Sequence, residues 1–513
     1  MWSVSYKVMA QPFYVTTPIY YPNDVPHIGH AYSSVAADAL ARWRRLWGDD
    51  VVFLTGTDEH GLKIQRAAEG QGITPQELVD RTAPAFQALT PLLELSNTDF
   101  IRTTEPRHHA AVQHFLQKVY DNGHIELGTY EGLYCVHCEA YYTEDELVAG
   151  KCPVHDTPVE RVTEENYFFQ LSRFEDALLE HYATNPDAVQ PDTRRNEVLG
   201  FIKSGLRDFS MSRTSISWGV PLPWDPKHVA YVWFDALFNY CTSIGYGVDR
   251  ANFDRYWPVD YHIIGKDILR FHAVYWPAML LAGGEAPPKH VFAHGWLQVG
   301  GEKMSKTTGN QIAPADLVSG FGVDGLRYYL LADQRFGPDG DISHDAILTR
   351  YNADLANNFG NLVNRVLNMA TTYCDGVAPS ARANGSLVAA VARAFEECAR
   401  HIERLDFAGA FGAVWDLVRA TNAFIEDSEP WKLHKAGDAD ATAAVLGDCL
   451  EALRVVALLA APAIPVACRE MWRRLGLTGA PEDERLPDAA AWGRGPAGVS
   501  LDKGTPLFPR LET

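Results

Sequence analysis

The sequence predicts an α/β protein: a parallel-sheet domain, interrupted by a small cysteine-bearing insertion and followed by a C-terminal α-helical bundle. Three observations support this fold class. Strand-like and helix-like segments alternate in the first third of the chain and again from about residue 229, which is typical of parallel sheets. Paired cysteines lie where that alternation stops, and the strand-like segments end at about Gly340.

Four elements follow one another at the start of the chain. Pro12–Thr17 is rich in β-branched and aromatic residues and predicts a strand. Ala31–Trp47 has apolar residues at helical spacing, and Asp50–Thr55 predicts a second strand. Thr74–Glu77 (TPQE) predicts a capping box that begins the next helix.

A further helix precedes the insertion, and the alternation resumes after it. Thr104 is expected to cap a helix over Pro106–Asn122. Short polar turns from about residue 128 to 163 predict the insertion. Strands near Tyr231 and over Tyr261–Ile264, with a helix after them, complete a Rossmann-like, doubly wound sheet, which binds ligands at the carboxyl ends of its strands.

The last third of the chain predicts helices only. Four segments have helical periodicity: Asp345–Met369, Ser386–Arg404, Ala408–Phe424 and Ala441–Leu459. The expected division has a first half of the sheet domain at 1–122, a connective insertion with its metal knuckle at 123–228, a second half with a mobile lysine loop at 229–344, and a helical domain at 345–513.

Composition and charge limit the class of protein. The 513 residues are 47% hydrophobic and 21% charged, which excludes disordered and fibrous proteins. No apolar run reaches the roughly 18 residues of a membrane span, and Val455–Cys468 predicts a buried helix pair. Residues 1–11 lack a signal-peptide pattern, which favours a cytoplasmic location. The net charge of −20 argues weakly against nucleic acid, although a local basic face is compatible with it.

Two short motifs have the composition of a phosphate-binding site. Pro26–His30 (PHIGH) lies between the first strand and the first helix, where a helix N-terminus attracts anions and two imidazoles add donors. Its glycine lets a flat base approach the backbone. Lys303–Thr307 (KMSKT) lies between glycines and carries two ammonium groups suited to a polyphosphate. Taken singly, the first motif is also compatible with a packed histidine pair and the second with a solvated loop.

A third motif has the spacing of a metal site. Cys135 and Cys138 (CVHC), and Cys152 and His155 (CPVH), form two pairs with two residues between the ligands, which fits one tetrahedral Zn²⁺. Four ligands leave no open position, so the ion is expected to be structural. His137 is an alternative ligand, and the other five cysteines are expected to be core thiols.

Together, the histidine and lysine motifs resemble the two signature motifs of class I aminoacyl-tRNA synthetases, and within that class the methionyl-tRNA synthetase family. The similarity extends over most of the chain. It is carried by Phe13–His30, Phe53–Gly61, Tyr231–Tyr240, Ile264–His272 and Glu302–Asn310. Other class I enzymes for aliphatic amino acids carry far longer editing insertions, for which this chain has no room.

The resemblance implies ATP-dependent ligation of L-methionine to initiator and elongator methionine tRNA through methionyl-adenylate, releasing pyrophosphate and AMP. Mg²⁺ would accompany ATP. Such a displacement depends on positioning and charge stabilisation, so no general base is expected. The residues that would bind ATP and stabilise the departing pyrophosphate are His27, Gly29, His30, Gly265, Asp267, Lys303 and Lys306.

The resemblance also implies a methionine pocket. Asp58 would bind the substrate ammonium group, and its alternative role is a helix cap. An aromatic-lined slot suits a thioether. The slot would be formed by Tyr21, Trp233, Ile268 and His272, with Ile19 and Tyr240 nearby. Leu237 stands where some relatives have proline, which leaves the shape of that wall open.

In the family, three positions of the helical part read the anticodon, and here they are Asn361, Arg365 and Trp431. Trp stacks on unpaired bases, while Asn and Arg read base edges. Without the resemblance, Asn361 and Arg365 would be interpreted as a solvated helix face. A local basic strip, including Arg350 and Arg365, would reconcile tRNA binding with the acidic total.

Three other functions fit parts of the pattern. A non-catalytic paralogue that binds tRNA or a nucleotide would be favoured by loss of His27, His30, Lys306 or Asp58, and all four are present. A zinc hydrolase needs an open metal position, and the pocket residues argue against the cysteinyl enzyme. Because the chain ends soon after the bundle, a monomer is expected.

Overall fold

The structure is a computed structural model that describes residues 10–23, 25–137, 140–142, 144–303, 311–333 and 335–512. Its strands are β1 (Pro12–Tyr20), β2 (Asp50–Thr57), β3 (Asp99–Arg102), β4 (Ile125–Cys135), β5 (Ala140–Tyr142), β6 (Glu160–Phe169), β7 (Val189–Gln190), β8 (Phe209–Ser210), β9 (Ser212–Arg213), β10 (Val229–Ala230), β11 (Tyr261–Gly265), β12 (Val291–His294), β13 (Leu297–Val299), β14 (Glu302–Lys303) and β15 (Gly340–Asp341).

The α-helices are α1 (Ile28–Leu46), α2 (Leu62–Glu69), α3 (Pro75–Gln87), α4 (Leu89–Leu92), α5 (Pro106–Asp121), α6 (Glu175–Thr184), α7 (Asp192–Lys203), α8 (Val232–Ala236), α9 (Asn239–Thr242), α10 (Arg250–Tyr256), α11 (Trp276–Ala282), α12 (Pro314–Ala332), α13 (His344–Arg350), α14 (Asn361–Tyr373), α15 (Gly385–Ile402), α16 (Phe407–Ser428), α17 (Pro430–Lys435), α18 (Ala439–Ala460) and α19 (Pro465–Arg474). A π-helical segment, Tyr351–Gly360, joins α13 to α14.

The central sheet has six strands in the order β3-β2-β1-β11-β12-β7, and every neighbouring pair is parallel. The chain leaves β1 toward β2 and β3, and later returns to the other side of β1 through β11 and β12. The strand order therefore reverses between β1 and β11. In doubly wound sheets a crevice for ligands forms at this point, beyond the carboxyl ends of the strands.

The insertion is built on a long antiparallel hairpin. β4 and β6 pair from Ile125 opposite Phe169 to Tyr134 opposite Glu160, with β5 and β8 at the edges of the same sheet. Cys135 ends β4, so the hairpin carries the cysteine motif away from the central sheet.

The helical part is centred on α18. Every residue of this helix from Leu446 to Ala460 is buried, and α19, whose first residue is Pro465, follows after a short turn that contains Pro462. The buried helix pair predicted for Val455–Cys468 is confirmed. Within the residues that the structure describes, none of the helices has the length and apolarity needed to cross a membrane.

The predicted fold class is confirmed, two local predictions are corrected, and not every strand of the central sheet was predicted. Thr104 does not cap α5: Glu105 precedes that helix, and the Thr104 hydroxyl donates instead to the Glu59 carboxylate at 2.6 Å. The strand expected near Tyr231 is the short β10, which pairs antiparallel with β9 outside the central sheet. β7, a strand that was not predicted, joins the central sheet instead.

A buried ion pair lies where the sheet domain meets the helical part. The Arg327 guanidinium of α12 lies 2.7 Å from the Asp38 carboxylate of α1, and both side chains are fully buried. Arg327 also donates to the carbonyls of Pro462 and Ala463, in the turn between α18 and α19. Burial by itself raises the pKa of Asp38, but Arg327 and Arg42 more than offset this and hold it below its usual value.

Replacing Asp38 with Asn is expected to lower the free energy of unfolding by about 3–5 kcal/mol, because Arg327 is left as an uncompensated buried charge. Urea titration followed by tryptophan fluorescence measures this loss. Glu160→Gln is the matched control: it breaks a half-exposed pair with Arg66, and should cost less than about 1 kcal/mol. Equal losses in the two variants would contradict the coupling role of the buried pair.

A candidate active site at the carboxyl ends of the central strands

The first crossover helix begins with two histidines that cap it. The His27 Nδ1 accepts from the Gly29 N–H at 3.1 Å, and the His30 Nδ1 accepts from the His27 N–H at 3.0 Å. The ring centroids are 3.9 Å apart. Because a backbone N–H only donates, Nδ1 carries no proton in either ring, and each ring holds its proton on Nε2.

Burial lowers the pKa of His30 well below its usual value, and the neighbouring His27 adds to the shift. His30 is therefore neutral at pH 7 and acts as a hydrogen-bond donor through Nε2. Gly29 is required by this packing, since a Cβ there would lie 2.9 Å from His27 Cε1. This is a different reason for the glycine from the base contact expected from the sequence.

The predicted lysine loop is anchored beside the start of α1. β14 pairs with β13 through a turn at Gly300 and Gly301, both at positive φ, and the Ile28 N–H donates to the Ile312 carbonyl at 3.0 Å. The end of the loop at Ile312 is thus held at the start of α1, where the two imidazoles lie. Lys306 and the side chain of Lys303 lie outside the described residues.

Gly265 and Asp267 lie at the carboxyl end of β11, next to this helix start. A Cβ at Gly265 would lie 2.7 Å from Asp267 Oδ1, so glycine allows the carboxylate to fold back over the strand end. Asp267 Oδ1 accepts from the Trp296 indole at 3.1 Å. Lys266 pairs with Asp339 at 2.7 Å and lies over the Trp296 ring.

Three of the other predicted methionine-pocket residues lie around His272. Its Nδ1 donates to the Ile268 carbonyl at 3.0 Å, so its Nε2 accepts from the Tyr240 hydroxyl at 2.9 Å. Burial lowers the pKa of His272 to about 4, and the ring is neutral at pH 7. The Trp233 indole stacks on Phe271 at 3.8 Å and lies edge-on to His272 at 6.4 Å.

Asp58 and Tyr21 follow the adjacent ends of β2 and β1. Tyr20 and Thr57 are in register, and the Asp58 N–H donates to the Tyr20 carbonyl at 2.9 Å. Asp58 is only 3% exposed, and it does not cap α2, whose N-cap is Gly61.

The two residues that flank Tyr20 pack in different places. Ile19 packs on the same apolar cluster as Trp233 and Ile268. Tyr21 packs on a smaller cluster that includes Ile64 and Trp218, with the Lys63 ammonium 5.4 Å from its ring.

The loop after β2 contains buried charged groups that were not among the predicted site residues. Glu59 is fully buried and accepts from Thr57 at 2.7 Å and from Arg102 at 2.6 Å. His60 Nδ1 donates to Asp235 at 2.6 Å. The available signal was Asp235 itself, a carboxylate inside the apolar run Tyr231–Tyr240, because a buried charge needs a partner.

Three of the four predicted metal ligands meet at the tip of the insertion. The ligand atoms of Cys135, Cys152 and His155 all lie within 4.8 Å of one another. The Cys152 N–H donates to the Thr157 carbonyl at 2.9 Å, and the Asp156 N–H donates to the Cys152 carbonyl at 2.9 Å, which makes a tight knuckle. Cys138 lies outside the described residues. The two sulfurs and the imidazole fit Zn²⁺ by ligand type.

Arg365 and Trp431 lie on one surface of the helical part. The Arg365 guanidinium lies 5.2 Å from the Trp431 ring centroid and also pairs with Glu426. Asn361 is exposed one turn earlier on α14. Arg350, expected in a basic strip with Arg365, pairs with Asp354 at 2.9 Å.

The parallel sheet, the imidazole-capped crossover helix and the lysine motif that follows β13 in the sequence are the parts of a class I tRNA synthetase. A family model described as "tRNA synthetases class I (M)" matches residues 13–161 and 154–367, and one described as "Anticodon binding domain of methionyl tRNA ligase" matches residues 375–512. The chain therefore belongs to the methionine–tRNA ligase family of class I aminoacyl-tRNA synthetases.

Individual relatives agree with the family models. The chain is 48% identical to the methionine–tRNA ligase of Streptomyces coelicolor, over 99% of this chain and 98% of the relative. It is 44% identical to that of Bacillus subtilis, over 98% of this chain and 78% of the relative.

Solved structures of the Mycobacterium tuberculosis methionyl-tRNA synthetase have the same fold. The complex with methionyl-adenylate is 42% identical, with a TM-score of 0.93 over 98% of this chain and 100% of that one. The free form has a TM-score of 0.87 at 40% identity, over 98% of this chain and 99% of that one. By TM-score, the backbone of this chain is thus more similar to the adenylate-bound structure than to the free one.

Proposed function

We propose that this chain ligates L-methionine to methionine tRNA in two steps, using ATP and forming methionyl-adenylate. The observation that carries the proposal is that the ends of β1, β2 and β11 bring the capped imidazoles, Asp58 and the His272 pocket to one edge of one sheet. The similarity to a methionyl-adenylate complex supports it. A non-catalytic paralogue has no comparable support, since the curated relatives are methionine–tRNA ligases.

In the first step, a methionine carboxylate oxygen attacks the α-phosphorus of ATP, and the bond to pyrophosphate breaks. The negative charge that moves to the leaving group needs donors near its path. His27 and His30 supply Nε2–H donors, because capping occupies Nδ1 of both rings. Lys306 would stabilise the departing pyrophosphate, Lys303 would support the loop, and Mg²⁺ would accompany ATP.

Asp58 would hold the methionine ammonium group, and the pocket around His272 its side chain. A buried carboxylate binds a cation strongly because little water screens the pair. Tyr240, Trp233 and the neutral His272 present aromatic surface, which suits a thioether. Asp267 would accept hydrogen bonds from the ribose hydroxyls of ATP. The absence of a Cβ at Gly265 leaves space for that carboxylate.

In the second step, the acyl group moves to the 2′-hydroxyl of the terminal adenosine of the tRNA, releasing AMP. Asn361, Arg365 and Trp431 would read the anticodon. Arg365 and Trp431 are already in contact, which supports a shared base-binding surface. Bound zinc, a cytoplasmic location and a monomeric state stay predictions.

Amino-acid-dependent ATP–pyrophosphate exchange, run with all twenty amino acids and no tRNA, tests the first step. Exchange is expected with methionine alone. Exchange with a different amino acid would contradict the pocket assignment, and no exchange from folded protein would contradict the reaction.

Trp431→Ala is expected to weaken aminoacylation far more than exchange, because stacking on a base contributes about 1–3 kcal/mol to tRNA binding and nothing to adenylate formation. The kcat/KM for tRNA should fall about 5- to 150-fold, with exchange kinetics unchanged. Trp492→Ala, which changes a partly buried tryptophan elsewhere in the helical part, is the control. Equal losses in both reactions for Trp431→Ala would exclude an anticodon role.

Cys152→Ser should remove one equivalent of zinc and lower the thermal stability of the insertion, since a structural ion contributes directly to folding. Metal content by mass spectrometry measures the first effect. Cys398→Ser changes a buried thiol of α15 and should keep the zinc. Unchanged metal content in Cys152→Ser would remove this residue from the ligand set.

A further inference from the structure

Asp235 is a fully buried carboxylate that the proposed reaction does not use. Its Oδ2 accepts from His60 Nδ1 at 2.6 Å and its Oδ1 from His108 Nε2 at 2.7 Å. The three side chains are at most 2% exposed. Burial by itself raises the pKa of Asp235, but the two imidazoles more than offset this and hold it below its usual value. Asp235 is therefore an ionised acceptor with each oxygen committed to a different imidazole.

These two hydrogen bonds join three separate elements. His60 lies in the loop after β2, two residues beyond Asp58. The backbone nitrogen of His60 lies 3.5 Å from Asp58 Oδ1. Asp235 lies in α8, two residues beyond Trp233, and His108 lies in α5. The carboxylate thus connects the segment that carries Asp58 to the short helix that carries Trp233.

The loop is also held from its other side. Glu59 accepts from Arg102 and Thr104, at the end of β3 and just after it, and the Trp218 indole donates to the Glu59 carbonyl at 2.6 Å. These bonds tie the loop to the sheet. The hydrogen bond from His60 to Asp235 sets the distance between this loop and α8.

We propose that Asp235 is a positioning residue, which fixes the separation between Asp58 and Trp233 and thereby the length of the amino-acid side chain that the pocket accepts. This inference rests on the proposed function, in which Asp58 holds the ammonium group and Trp233 lines the side-chain pocket. One methylene is worth only about 1–3 kcal/mol in an apolar pocket. A modest displacement of α8 is therefore enough to weaken discrimination by length.

The test is Asp235→Asn, assayed by ATP–pyrophosphate exchange with methionine and with ethionine, which is longer by one methylene. The asparagine side chain has one oxygen and one NH₂ group, and the NH₂ group would face the N–H of one imidazole. The hydrogen bond to either His60 or His108 is therefore lost. The KM for methionine should rise about tenfold, the KM for ATP should stay within about twofold, and the ethionine-to-methionine ratio of kcat/KM should rise about tenfold.

This ratio does not depend on the fraction of active protein, so a merely structural role would leave it unchanged, and an unchanged ratio overturns the inference. Asp448→Asn is the matched control. Asp448 is another buried aspartate, which accepts from the N–H groups of Arg382, Ala383 and Asn384 in the helical part. Its substitution should leave the ratio at the wild-type value.

A second pair of variants tests the inference if Asp235→Asn does not fold. His60→Leu removes the donor to Asp235, whereas His60→Asn keeps an N–H close to the position of Nδ1. The ratio should rise in the first variant and return toward the wild-type value in the second, and equal ratios in the two would overturn the inference. Absence of methionine exchange in the wild-type protein would instead contradict the proposed function itself.

Discussion

The parallel hydrogen bonding of β1 to β2 on one side and to β11 on the other is the constraint on which the site depends. Parallel strands in register end at the same edge of a sheet, so the chain beyond each strand meets there. Tyr21, Asp58 and Gly265 are far apart in sequence and lie at the same edge of the sheet for this reason. The start of α1 lies at the same edge, because the crossover helix follows directly from β1.

Buried charges specify how the elements are placed relative to one another, which apolar packing alone does not. A buried ion costs several kcal/mol to desolvate and is tolerated only where partners are placed accurately. In this protein such groups lie where elements from different parts of the chain meet. Arg327 and Asp38 join the sheet domain to the turn before α19, and Asp235 joins the loop after β2 to α8 and α5. At Asp235, an error in relative placement would displace the segments that carry Asp58 and Trp233.

The capping of α1 links local structure to chemistry. A serine or aspartate would cap this helix equally well, but would not present a second nitrogen. Here the cap uses Nδ1 of each imidazole and leaves the proton on Nε2. Burial keeps His30 neutral, so the site offers hydrogen-bond donors without a fixed charge at this position, and the positive charge needed for a triphosphate is expected from the lysine loop.

The sequence by itself predicted β1, β2 and β11, most of the longer helices and the family, because strand and helix periodicity, the capping box at Thr74 and the spacing of the histidine, lysine and cysteine motifs are local patterns. It also predicted the groups that meet around His272, through the resemblance. Only the tertiary structure decided that β7 joins the central sheet, that Thr104 bonds Glu59 instead of capping α5, and which groups pair with Asp235. His60 and His108 are 175 and 127 residues away from that carboxylate along the chain. No local pattern encodes such a pairing, because it exists only once the sheet has brought the ends of its strands together.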